Sequence, residues 1–125
     1  MTLVDTSVWV NHFRSGEPGL IRLLDDGLAG IHPFVIGELA AGNLRNRPAT
    51  LADLQALPQA RMATEAEVHH LLDRHRLWGM GLGWIDLHLL ASALLSGWSL
   101  LTADRPLRQA AGALGVYPDQ GSKGD

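Results

Sequence analysis

The stretch "TLVDTSVWV", residues 2–10, changes character at its fourth residue. Leu3 and Val4 belong to a short apolar run of the kind that forms a strand covered on both faces. Thr6 and Ser7 open "TSVWVNHFRSG", which reads as a helix closing before Gly16. A strand passed straight to a helix is the opening of an α/β chain. Asp5 stands at the junction, where an ionised carboxylate costs on the order of several kcal/mol unless it is paired. It is therefore a helix cap, a paired structural acid, or a group held in place for chemistry.

The same alternation continues outward. "EPGLIRLLDDGLAG" reads as a helix with Pro18 in its first turn and Gly27 near its end, and "GIHP" as a short strand. "FVIGELAAGNLR" reads as a helix stopping before Pro48, "PATLADLQAL" as another, and "QARMA" as a weak strand. "TEAEVHHLLDRHRLWG" begins with Thr64 and Glu67 in capping-box spacing. After the loop "GMGLG" come the helix "WIDLHLLASALLSG", the strand "SLLTAD", the helix "RPLRQAAGALG" and a last strand, "VYP". Strands separated by helices predict a parallel sheet flanked by helices on both faces. One domain over residues 1–119 is expected, with 120–125 as a flexible polar tail.

Composition narrows the class. A chain of 125 residues with 46% hydrophobic and 18% charged residues can bury a core of its own. It has no cysteine, hence no disulfide framework and no thiolate zinc site, which fits a reducing cytoplasm. No signal peptide is read at the start, and no membrane partner is expected. The uncharged run from Leu87 to Ala103 is interrupted by His88, Ser92, Ser96, Gly97, Ser99 and Thr102, so it reads as a buried helix followed by a buried strand. The formal charge is −3, without the basic excess of most nucleic-acid binders. Nine of the ten basic residues are arginine, however, the better fork for phosphate.

Four acids stand apart from the rest. In α/β sheets, ligands gather beyond the carboxyl ends of the strands, where Asp5 and Asp104 both fall. Glu38 in "FVIGELAAG" and Asp86 in "GWIDLHLLA" lie in apolar helices with no basic residue within four positions. Asp5 and Asp104 are each acceptable helix caps, whereas Glu38 and Asp86 read as stranded charges. Together the four favour a divalent cation, and all-oxygen ligation suits Mg²⁺ or Mn²⁺. Thr6, Ser7 and Thr102 are placed to donate hydrogen bonds that orient such carboxylates.

Other patterns carry less. His69, His70 and His75 lack zinc-helix spacing and read as a solvated helix face. "GMGLG" follows a helix and lacks dinucleotide-binding spacing. The four tryptophans are scattered and read as core or interface. An aspartyl-phosphate enzyme needs a second acid where Ser7 stands and an internal lysine, while the only lysine is Lys123.

With these acids in view, the chain resembles the PIN-domain ribonucleases, specifically the VapC-type toxins of toxin–antitoxin pairs. The resemblance rests on "LVDTSVWV", "VIGELAAGN", "GWIDLHLLASALL" and "LLTADRPLRQAAGALGV", in that order over nearly the whole chain. It implies a PIN-like fold and a metal-dependent endoribonuclease with Asp5, Glu38, Asp86 and Asp104 as its acidic quartet. Asp104 would act directly or through water. It also implies Mg²⁺ or Mn²⁺ as cofactor, an RNA substrate, a homodimer, a VapB-type antitoxin, and DNA contact only through that antitoxin. Ala103 stands where relatives often carry a polar or basic residue, a departure that bears on substrate contacts. Arg14, Arg45, Arg47 and Arg105 are candidates to guide the RNA backbone. The alternative is a catalytically silent partner-binding domain whose acids hold a structural cation.

Overall fold

The computed structural model describes residues 1–118, so the expected tail at 120–125 lies outside the described residues. Three strands form a parallel sheet in the order β2-β1-β3: β1 Thr2–Val4, β2 Ala29–Gly30 and β3 Ser99–Leu101. Leu3 is registered with Gly30 on one side and Leu100 on the other. Seven helices are present among the described residues: α1 Thr6–Ser15, α2 Pro18–Asp25, α3 Pro33–Ala41, α4 Arg47–Gln55, α5 Glu65–Arg74, α6 Trp84–Ser96 and α7 Arg105–Ala113.

The central strand explains the architecture. Leu3 and Val4 point to opposite faces of β1, and both are completely buried. Both faces of that strand are therefore covered. Leu20, Val35, Val68, Leu89, Leu90, Leu100 and Leu107 join them in one hydrophobic cluster supplied by helices from the whole chain. The run without charges divides at Gly97, whose φ of 67° ends α6 in the left-handed region and lets Ser99 enter β3. No helix among the described residues is long and apolar enough to cross a membrane.

Four boundary readings need correction. "VYP" is not a strand: the Val116 carbonyl accepts one bond from Leu100 N–H at 2.8 Å, and Gly115 just before it turns at φ 74°. Pro118 has no N–H to extend a ladder. The strand expected in "GIHP" is Ala29–Gly30, because His32 already caps α3; "QARMA" supplies only an isolated bridge between Gln59 and Ile31. The helix expected over residues 34–45 ends at Ala41, and Asn46 with φ 49° turns the chain into α4.

His32 fastens three segments. Its Nδ1 accepts from Phe34 N–H at 3.0 Å, so Nε2 carries the proton and donates to Ser92 Oγ at 3.1 Å. Ser92 Oγ also accepts from Ala63 N–H at 3.4 Å. Burial holds the imidazole down at about 4, and the nearby His88 adds to the effect. This histidine is a neutral core residue.

Candidate active site

The parallel pairing of β1 with β3 brings the first acid to the last. Asp5 follows β1, Asp104 follows β3, and Asp5 N–H donates to the Leu101 carbonyl at 2.9 Å, closing the two strand ends together. Asp5 is buried and takes the N-cap position of α1, but its side chain makes no capping bond. Its Oδ2 instead accepts from Thr102 Oγ1 at 2.7 Å and from Ser7 Oγ at 2.8 Å. Ser7 Oγ in turn accepts from Ala103 N–H at 3.0 Å. Thr102 Oγ1 accepts from Asp104 N–H at 3.0 Å.

The other acids are held in like manner. Glu38 Oε1 accepts from Thr6 Oγ1 at 2.6 Å. Asp104 caps α7, accepting from Leu107 N–H at 3.2 Å. Asp86 Oδ2 accepts from Gly83 N–H at 2.8 Å, at the start of α6. Glu38 and Asp86 are thus not stranded charges, as their apolar surroundings in sequence suggested. Glu38 is exposed, and Asp86 lies in the first turn of its helix, where a carboxylate is favoured.

Asp5 and Asp104 are the N-cap residues of α1 and α7, and Asp86 lies in the first turn of α6. The N–H dipoles of these helix N-termini favour negative charge there. Mutual repulsion remains. Burial pushes the Asp86 carboxyl above its usual range, and the charges of Asp5, Asp104 and Glu38 push it further, against the opposing Gly83 hydrogen bond. Acids from three other segments thus act on this one carboxylate.

The donor set suits a hard divalent cation, being all oxygen and strongly negative. Each carboxylate has one oxygen tied to a hydroxyl or backbone N–H, and the hydrogen bonds of the described residues leave its other oxygen without a protein partner. Among the described residues, no three acids or histidines are already drawn together around one point. The residues fit an ion in kind, and gathering it requires side-chain rotation about these tethers.

The arginines divide. Arg14 and Arg45 line a groove of about 690 Å³ that contains Glu38, with Phe13 and Asn43. Arg47 turns its Nη1 toward the Gly42 carbonyl at 3.5 Å and does not line that groove. Arg105 opens on a separate cleft beside Ala103. Sequence reasoning passed over two residues of that cleft, Arg108 and Tyr117. The spacing of 105, 108, 109 and 112 along one helix face was the available signal.

The chain is 47% identical over 117 residues to Ribonuclease VapC32 of Mycobacterium tuberculosis, in strains CDC 1551 and H37Rv. The match covers 93% of this chain and 94% of the relative. The PIN domain model matches residues 2–113, a span that includes all four acids and the three strands. The chain belongs to the PIN domain family.

Proposed function

We propose that this protein is an endoribonuclease toxin of a toxin–antitoxin pair, cutting RNA phosphodiester bonds at the four-acid site with Mg²⁺ or Mn²⁺. The observation that supports the reading is the Thr102 hydroxyl, which holds Asp5 and the Asp104 backbone together at the strand ends where α/β proteins bind ligands, with the charges of Asp5, Asp104 and Glu38 acting on Asp86. Asp5, Glu38 and Asp86 would hold the ion, with Asp104 directly or through water. Such an ion, once bound, supplies Lewis acidity toward the phosphate and neutralises charge on the leaving oxygen.

The chain's own groups do the positioning. Thr102 and Ser7 fix Asp5 through two hydroxyl donors, so its second oxygen has one direction left. Thr6 does the same for Glu38. Arg14 and Arg45 line the groove at Glu38 and would bind phosphates of the strand. In-line attack by water forms a new P–O bond and breaks the P–O3′ bond, leaving a 3′-hydroxyl and a 5′-phosphate. The partners are an RNA substrate, a VapB-type antitoxin and a second copy of the chain, with DNA reached only through the antitoxin. The place of action is the cytoplasm. Residues 1–119 form the nuclease domain.

Purified protein freed of antitoxin is to be incubated with RNA and Mg²⁺ or Mn²⁺, and the new 5′ ends mapped. Cleavage lost in EDTA and in a folded Asp5→Asn variant is expected. Full activity in either case overturns the metal reading. Inert isolated protein whose expression still arrests growth, unchanged by Asp86→Ala, would replace it with partner binding alone.

A further inference from the structure

The exposed face of α7 is built of Arg105, Arg108, Gln109, Gly112 and Ala113, at helical spacings of three and four. Leu107, Ala110 and Ala111 bury the opposite face. Across from the exposed face stands Tyr117, and between them lies a cleft of about 620 Å³ that opens at Ala103. No acid lines it. The Arg108 guanidinium lies 5.1 Å from the centre of the Tyr117 ring, and Tyr117 Oη donates to the Thr102 carbonyl at 3.4 Å. Thr102 is the residue whose hydroxyl holds Asp5. The cleft is lined by Ala103 and Arg105, the two residues that flank Asp104 in the chain.

From this geometry we infer that the α7 cleft is a nucleotide subsite for the RNA strand next to the bond that is cut. The inference rests on the nuclease reading above. Two guanidiniums, with no carboxylate among the described lining residues, suit the phosphates of a strand leaving a site of opposite charge. The half-buried Tyr117 ring and the Arg108 plane suit the face of an unpaired base. Gln109 offers an amide to its edge. Gly112 gives the cleft its depth, since a Cβ there would meet nothing within 4 Å.

The test is fluorescence anisotropy with a labelled, mixed-sequence single-stranded RNA in EDTA, where binding proceeds without cleavage. Arg108→Ala and Tyr117→Leu should each weaken binding on the order of tenfold, the scale of one stacked base. Tyr117→Phe should bind like the wild type, because the ring is kept. Arg108→Ala should also flatten the dependence of log affinity on log salt by about 0.7, one single-strand phosphate contact. Gly112→Leu separates binding from stability: its thermal midpoint should equal or exceed the wild type's, while RNA affinity falls. If the wild type neither binds nor cuts RNA, the nuclease reading fails. If it does both, and Arg108→Ala, Tyr117→Leu and Gly112→Leu match it in affinity and salt slope, the subsite alone is overturned. Variants that keep RNA and lose only purified antitoxin would make the cleft a protein-docking surface, which also overturns it.

Discussion

Thr102 Oγ1 lies 2.7 Å from Asp5 Oδ2, joining residues 97 positions apart into one buried hydrogen bond. The same hydroxyl accepts from Asp104 N–H, so one side chain sets the geometry of the first acid and the backbone of the last.

Replacing Thr102 by valine keeps the shape and removes both bonds. The buried Asp5 carboxylate then loses a donor, at a cost of about 1–3 kcal/mol in unfolding free energy. Affinity for the divalent ion should fall about 10- to 100-fold, the usual effect of removing a group that orients a ligand. Thr102→Ser should recover most of both. Urea unfolding and calorimetric Mn²⁺ titration read the two effects separately.

Asp86→Asn should make the metal-free protein more stable while abolishing cleavage. Asn keeps an acceptor for Gly83 N–H and removes the charge that burial and three neighbours oppose. The folded Asp86 carboxyl binds its proton more tightly than the unfolded one. Its contribution to stability is therefore greatest below the unfolded value of 3.8 and is lost as pH rises through the raised folded value. Thermal melts in EDTA at neutral pH should show a higher midpoint for the variant, and added Mg²⁺ should raise the wild type's midpoint more than the variant's.

His32 predicts an acid limb with the opposite sign. Its folded value of about 4 lies below the ordinary 6.5. The unfolded chain therefore takes up the proton first, and stability present above pH 6.5 drains away as pH falls toward 4. The full effect is on the order of 3 kcal/mol. His32→Gln, which keeps an acceptor and a donor, should be less stable at pH 7 and show a flatter profile between pH 6.5 and 4. Unfolding free energies measured across that range check it.

Gly30→Ala should destabilise the fold by about 1–3 kcal/mol, as overpacking does. A Cβ on Gly30 would overlap the Trp98 ring, which lies against β2. Paired with Trp98→Leu, the substitution should cost less than alone. Equal costs in denaturant unfolding would refute the packing account.

Much of the fold was legible because the punctuation is local. Pro18, Gly97 and the Thr64–Glu67 box each mark an end by backbone or hydrogen-bond chemistry within four residues, and the structure keeps all three. The margin of β2 was not legible, because one residue decides it: His32 spends its side chain on capping and so ends the strand early. The four acids could be picked out as unpaired along the sequence. Thr6, Ser7 and Thr102 could be picked out as holders too, but the reach of Thr6 to Glu38 across 32 positions could not. Gly83, which holds Asp86 through a backbone N–H, has no side chain to notice.

The pairing of β1 with β3 also sets a schedule. A chain being synthesised exposes Asp5 early, but the Leu101 carbonyl, the Thr102 hydroxyl and Asp104 arrive only with its last fifth. Until β3 docks, Asp5 lacks its strongest holder and the quartet is one member short. A site assembled in this order stays incomplete for as long as the two strand ends have not met.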